Sequence, residues 1–341
     1  MQPIQNPLNT SYPYFTEQPN GVLERLHNNV WSQIGGNSFS DNTDWETPFL
    51  MSPVAVNGQP NYHVLYTGRT YLWRSTNDGD TWATLGNPFG NYISAVGLSW
   101  TTPTNIYVGL VDGHVYGTTN SGGTWTQKLA TGTRVTSLLT TGRDANFALA
   151  SFYTSPGSSA ARVMRTTNMG TSWTNVSGTT GATLPTVGVN SIALDSSAPT
   201  RVWYAATDYG IYYTVDSGAH WSIAGSGLGL TPCRDIQIHK NGTTIRVGTF
   251  GRGLWEGLTT ALPVELSSLS LQKVQNAASN GSLLSWHTDS EHGDAGFMVQ
   301  RSIDGEAFQD VTFLASKAAG GTSNVQLNYT FFDTTHSAGT Y

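Results

Sequence analysis

Four copies of one eight-residue signature constrain this chain more than any other feature: Ser75-Thr-Asn-Asp-Gly-Asp-Thr-Trp82, Thr118-Thr-Asn-Ser-Gly-Gly-Thr-Trp125, Thr166-Thr-Asn-Met-Gly-Thr-Ser-Trp173 and Thr214-Val-Asp-Ser-Gly-Ala-His-Trp221. Their closing tryptophans lie 43, 48 and 48 residues apart. A hydroxyl, a Gly-bearing polar turn and a tryptophan recurring at that interval mark a repeated supersecondary unit. A period of about 45 residues suits one four-stranded blade of a β-propeller.

The signature, called a box below, has a local rationale. Its third residue, Asn77, Asn120, Asn168 or Asp216, can accept backbone N–H groups of its own turn. Gly79, Gly122, Gly170 and Gly218, two residues on, permit a left-handed conformation. Trp82, Trp125, Trp173 and Trp221 are expected to cover the outer apolar surface of each blade, contributing about 2–3 kcal/mol by burial. Together with Ser75, Thr118, Thr166 and Thr214 these residues read as architecture, because a satisfied turn is not a reactive one.

The runs between boxes share one order. An alternating or apolar first run (49–54, 93–98, 135–139, 189–194, 233–238) precedes a second rich in β-branched and aromatic residues (64–67, 106–109, 147–150, 202–205, 245–248). A third (71–74, 114–117, 162–165, 211–213, 254–256) leads into the box, and the box tryptophan opens a fourth. Gly and Asn between runs supply the positive φ of tight hairpins. Upstream, 12–34 reads as a partial first blade, with Gly21–Arg25 as third strand, His27-Asn-Asn as weakened box and Trp31 as its tryptophan. The last unit, Cys233–Gly257, has three strands and no box. Its fourth is expected from the N-terminal segment.

The charge-poor composition agrees: 11% charged residues with 38 Gly and 11 Trp, against about 25% charged in an average soluble domain. Net charge is −6 with no Lys/Arg cluster, so no nucleic-acid footprint is legible. Cys233 is the sole cysteine, which excludes an intrachain disulfide and a cysteine-based zinc site. The histidines lack metal-ligand spacing, and no metal or cofactor is expected. No apolar run approaches a membrane span, so no membrane insertion is expected. Met1–Pro7 has neither the basic region nor the apolar core of a signal peptide.

The boxes resemble those of the Asp-box, or BNR-repeat, β-propellers: sialidases, xyloglucanase-type glycoside hydrolases and the sortilin luminal domain. Trp45-Glu-Thr-Pro-Phe49 and Val247-Gly-Thr-Phe-Gly-Arg-Gly-Leu-Trp255 are similar to opening and closing segments of the sortilin-like, surface-exported bacterial branch. The resemblance spans roughly 12–258. Three boxes carry Asn for the usual Asp, and His220 replaces the usual Ser or Thr. The sialidase Arg-Ile-Pro signature and the xyloglucanase-type opening motif are missing.

After residue 258 the texture changes. With 1–258 as propeller and 259–266 as linker, 267–341 resembles an incomplete fibronectin type III-like β-sandwich, with Trp286 at its core and a turn at Asp304-Gly305. The resemblance implies two further strands beyond Tyr341, hence a fragment. The expected fold class is all-β: a β-propeller of four-stranded blades, about six visible, plus a partial β-sandwich.

In an up-and-down blade the boxes share one face with the first-to-second turns. Ligands are therefore expected on the opposite face, built from second-to-third loops and inter-blade connections. Those loops offer Arg69, His114, Tyr153, Tyr209, Phe250 and Arg252 as ligand-binding candidates, and the connections add Asp41, Asp44 and Glu46. Each has a plainer reading: Asp112 and Asp208 as hairpin residues before glycine, the arginines as paired or solvated, Tyr153 and Phe250 as packing between blades. Asp112 and Asp208 are the carboxylate pair best placed for inverting glycoside hydrolysis, which needs one protonated and one ionised group about 6.5–9.5 Å apart. The favoured expectation is recognition rather than catalysis: a secreted or cell-surface module, a monomer within a larger chain, binding a glycan or an extracellular protein.

Overall fold

In the computed structural model the described residues are 4–5, 13–17, 21–27, 29–35, 39–179, 181–224, 228, 230–239, 242–259, 264–275, 280–291, 296–302, 309–319, 323 and 325–334. Asn28, half of the linker (260–263) and the Asp304-Gly305 turn lie outside them. The chain divides into two units, Met1–Gly257 and Leu258–Tyr341.

The first unit is a series of antiparallel sheets. Sheet 1 holds Ile4–Gln5, Pro13–Glu17, Val22–His27 and Val30–Ile34. Sheet 2 holds Phe49–Met51, Leu65–Gly68, Leu72–Ser75 and Ala83–Thr84. Sheet 3 follows with Ile93–Leu98, Ile106–Leu110, His114–Thr118 and Thr126–Ala130. Sheet 4 has Val135–Thr140, Ala148–Phe152, Val163–Thr166 and Thr174–Asn175, and sheet 5 has Val189–Leu194, Trp203–Thr207, Gly210–Thr214 and Ser222–Ile223. Sheet 6 has Cys233–Ile238, Thr244–Thr249 and Leu254–Leu258. The first strand of each sheet packs against the first strand of the next from sheet 3 to sheet 6, and apolar side chains fill the spaces between sheets: Leu72, Ile93 and Val108 in one, Leu149, Val163 and Trp203 in another. This is a β-propeller of four-stranded blades.

Two expectations change at the N-terminus. Ile4–Gln5 pairs with Pro13–Glu17 and completes sheet 1 as a four-stranded blade, instead of adding a fourth strand to sheet 6. Sheet 1 also has no box: His27 pairs with Val30, with only two residues between them in the sequence, too few for one, and Trp31 lies half-exposed in the fourth strand.

The four boxes are built alike. Thr118 Oγ1 donates to Asn120 Oδ1 at 2.8 Å and accepts the Asn120 and Gly122 N–H groups at 3.2 and 3.1 Å. Asn120 Oδ1 accepts the Thr124 N–H at 2.9 Å, while its Nδ2 donates to Thr124 Oγ1. In the fourth box Asp216 has no amide donor, and the residue four places on is His220, whose Nδ1 lies 2.5 Å from Asp216 Oδ2. The His220 departure therefore follows from the carboxylate.

Two of the box tryptophans also tie their sheet to the one before, beyond the expected covering of an outer apolar surface, whereas Trp82 Nε1 donates to Gly79 O within its own box at 2.9 Å. Trp125 Nε1 donates to Leu85 O at 3.0 Å and Trp221 Nε1 to Val176 O at 2.8 Å, both in the preceding sheet's connection. Gly122, at φ +86°, is so close to that connection that a Cβ would stand 2.7 Å from Leu85 Cβ.

In the second unit, Val264–Gln275, Asn280–Glu291 and Leu327–Asp333 form one sheet, and Gly296–Arg301 with Gln309–Ala315 form another. Trp286 stacks on Tyr329 and meets Phe297 edge-on between them. Leu269 and Leu271, opposite Trp286 and Leu284 in register, stay about half exposed, so the sandwich is partial.

Replacing Thr118 by Val should strand the buried Gly122 N–H and lower stability by about 1–3 kcal/mol. Chemical denaturation measures this; an unchanged midpoint would show that the hydroxyl does not hold the turn.

Candidate functional site

The innermost strands carry a repeated irregularity. Ladder pairing skips Ser94 in sheet 3, Thr136 in sheet 4, Asn190 in sheet 5 and Arg234 in sheet 6. Each is the second residue of its first strand, a β-bulge that turns one extra side chain out of the ladder. Three of these side chains reach the next sheet. Ser94 Oγ donates to Val135 O at 2.7 Å, Thr136 Oγ1 to Val189 O at 2.7 Å and Asn190 Nδ2 to Cys233 O at 2.8 Å. The sheets lie close enough here that a Cβ on Gly109 would meet Val135 Cγ1 at 2.5 Å.

The bulged residues line a channel of about 480 Å³ between the first strands of sheets 2 to 6. Glu46, Ser137, Ser191, Asp235 and Gln237 also line it, so its wall is mostly polar. At one end it opens into a recess of about 220 Å³ bounded by Glu46, Arg134, Tyr153 and Arg234 together with Ser94, Thr136 and Asn190. Every one of these residues lies at the start of a first strand, precedes one, or directly follows a second strand. The mouth is therefore on the face away from the boxes.

Two guanidinium groups frame the mouth, each with carboxylates beside it. Arg134 pairs with Asp44 and lies 3.7 Å from Glu46. Arg234 Nη1 is 3.3 Å from Asn190 Oδ1 and 3.7 Å from Asp208, and its plane lies 5.6 Å over Phe250. Asp208 itself accepts from Asn190 Nδ2 at 2.9 Å. Tyr153, Phe250 and Trp45 are exposed large aromatics, each lining the mouth or adjoining a residue that does.

The candidates read from sequence divide accordingly. Tyr153 lines the mouth, Asp208 and Phe250 lie beside Arg234, and Tyr209 is exposed next to Asp208 in the chain but does not line the recess. Arg252 is exposed beside them and donates to Leu228 O at 3.3 Å. Arg69 does not belong to the site. It is buried, donates to Asp41 O and Gly21 O, pairs with Asp41 and lies over Phe39, clasping sheet 2 to the segment before it. His114 and Asp112 form a local pair outside the channel lining: His114 Nδ1 is 3.0 Å from Asp112 Oδ1, and Asn91 Nδ2 donates to Asp112 Oδ2 at 3.0 Å. Burial pushes the Asp112 carboxyl up, but hydrogen bonds from the His114 ring, the Asn91 amide and the His114 N–H outweigh it and hold the group below its ordinary value. A carboxyl so held, and outside the channel lining, is poorly suited to be the protonated acid of an inverting pair. Arg134, Arg234, Asn190, Thr136 and Ser94 were missed, although their common place at the edge or second position of a first strand was visible in the aligned repeats. Among the described residues no cluster of His, Cys, Asp and Glu could hold a metal ion.

No protein-family model matches the chain, and no curated protein matches it. Solved structures do. The chain is similar to the GH74 enzyme of Niastella koreensis, with 18% identity and a TM-score of 0.54, covering 84% of this chain and 50% of that one. It is similar to the GH74 xyloglucanase of Xanthomonas campestris at 16% identity, with the same TM-score and coverages. An auxiliary nutrient binding protein from Bacteroides thetaiotaomicron matches at 9% identity and a TM-score of 0.50, covering 75% and 68%. At such identities the likeness shows the fold, and the chain spans half the length of the two GH74 enzymes.

An acid titration followed by carboxyl NMR should find Asp112 ionising below the roughly 3.9 of a free aspartate. Because the depressed value favours the folded state only while the carboxyl is charged, its contribution is present above that pH and lost as pH falls through the folded value. A midpoint of about 5 or more, above that free-aspartate value, would return Asp112 to candidacy as an acid.

Proposed function

We propose that this protein is a recognition module, secreted or held at the cell surface, which binds a glycan at the channel mouth. The observation that carries this reading is the mouth itself: Arg134 and Arg234 fixed beside carboxylates, with Tyr153 and Phe250 exposed next to them. Charged groups held by one another present several directed donors and acceptors, which suits vicinal hydroxyls, and flat aromatic faces suit the apolar faces of sugar rings. Carboxylates at the mouth are at least as numerous as guanidinium groups, which favours a neutral sugar over an acidic one. The box turns, of the Asp-box kind, act as framework in this reading, and the second unit acts as a spacer of the fibronectin type III kind.

The hydrolase reading is weaker, because neither Asp112 nor Asp208 lines the channel and Asp112 is engaged by His114 and Asn91. A glycan array followed by titration calorimetry tests the proposal. Arg234→Ala and Tyr153→Ala should each weaken binding by at least about tenfold, a loss of roughly 1.4 kcal/mol, without lowering the unfolding temperature. Binding indifferent to both substitutions would refute the mouth as the site. Turnover of aryl glycosides abolished by Asp208→Asn would replace recognition with catalysis.

A further inference from the structure

The channel changes character just inside its mouth. The four bulged residues bound the recess, and the residue after each, Ala95, Ser137, Ser191 and Asp235, lines the channel but not the recess. One residue of strand advances the chain by about 3.3 Å, so this second ring lies directly beneath the entrance. The next ring, Val96, Leu138, Ile192 and Ile236, is buried and wholly apolar.

Asp235 is the charged member of the second ring. Its hydrogen-bond partners among the described residues are neutral: Ser191 Oγ donates to Oδ1 and Gln237 Nε2 to Oδ2, each at 3.1 Å. Arg234, its neighbour in the chain, engages Asp208 and Phe250 instead. Arg134 engages Asp44 and lies near Glu46. Asp44, Glu46, Asp208 and Asp235 thus outnumber the two guanidinium groups, leaving a surplus of negative charge at the entrance. An ionised carboxylate has about four acceptor positions, so Asp235 keeps some unused. Opposite charges attract more strongly between protein walls than in bulk water.

We propose that the second ring receives a primary ammonium group, carried as a free amino group on an otherwise neutral glycan whose sugar ring sits at the mouth. This rests on the glycan reading above and names the class of sugar. An ammonium group has three N–H donors and no acceptor. Asp235, Ser137 and Ser191 bring a carboxylate and two hydroxyl oxygens to one level of the channel. Charge-assisted bonds of this kind are about twice as strong as neutral ones. Acetylating the amine removes its charge and leaves a single donor. Tyr153 and Phe250, exposed above, suit the ring that bears the amine.

Titration calorimetry of the full chain tests this with paired oligosaccharides of gluco and galacto configuration, alike except that the amino groups are free or acetylated. Mildly acidic buffer keeps the free amines charged. The free-amino partner is expected to bind at least about tenfold tighter. Asp235→Asn should abolish that preference while leaving affinity for the acetylated partner within about twofold. The paired ligands on the unaltered protein decide the question if the variant misfolds. Equal binding of both partners, weakened by Tyr153→Ala, would overturn the ammonium site and leave the glycan reading standing. Binding of neither would overturn it too, and the glycan reading falls with it only if the glycan array is also blank. Asp235-dependent binding of a trilysine peptide, with no sugar bound, would overturn the assignment to a glycan.

Discussion

A polar side chain at the second residue of one inner strand, donated to the first carbonyl of the next, is the contact on which the rest of the first unit depends. Ser94 to Val135, Thr136 to Val189 and Asn190 to Cys233 repeat it across three consecutive boundaries. The bulge that frees each side chain would otherwise leave a ladder position unpaired. Converted into a bond between sheets, it fixes how closely the inner strands approach and leaves a polar channel instead of a collapsed apolar core. The same position in sheet 6 is Arg234, which bonds back toward Asn190 and Asp208 and stands half-exposed at the mouth. Structural repetition and the change that produces a site thus occupy one place in the repeat.

The boxes complement this from the outside. Inner bulges join sheets near the channel, while box tryptophans and glycines join them at the periphery, through Trp125 to Leu85 and Trp221 to Val176. A box is therefore both a turn and a clasp, which explains why glycine is needed twice over. Gly122 sits at a positive φ and also lies where any Cβ would strike the neighbouring sheet. Only the first of these needs is local.

What the sequence made legible follows the same division. Box chemistry is local, so the turn hydroxyls, the Asn or Asp acceptors and the strand order could be read directly, as could the face on which Tyr153, Asp208, Tyr209 and Phe250 emerge. Contacts between sheets were not legible, because nothing in a run such as Val189-Asn-Ser-Ile shows that Asn190 leaves the ladder. Ile4–Gln5 is too short to carry a period, so the completion of sheet 1 was hidden. Arg69 looked like a loop arginine until its tertiary partners Asp41 and Gly21 showed it to be a buried clasp. Arg234 lay in a strand start that was read only as framework, and Arg134 lay one residue before another. A repeat alignment made position by position would have exposed the second residue of the first strand in sheets 3 to 6 as a variable, polar one, where sheet 2 has Leu50.

A diffraction experiment on crystals of the full chain soaked in mixed neutral oligosaccharides tests the central claim most directly. The account predicts sugar density in the recess between Arg134, Tyr153 and Arg234, with hydroxyls within hydrogen-bonding distance of at least one guanidinium group. Ordered sugar on the box face, with the mouth left to solvent, would contradict it.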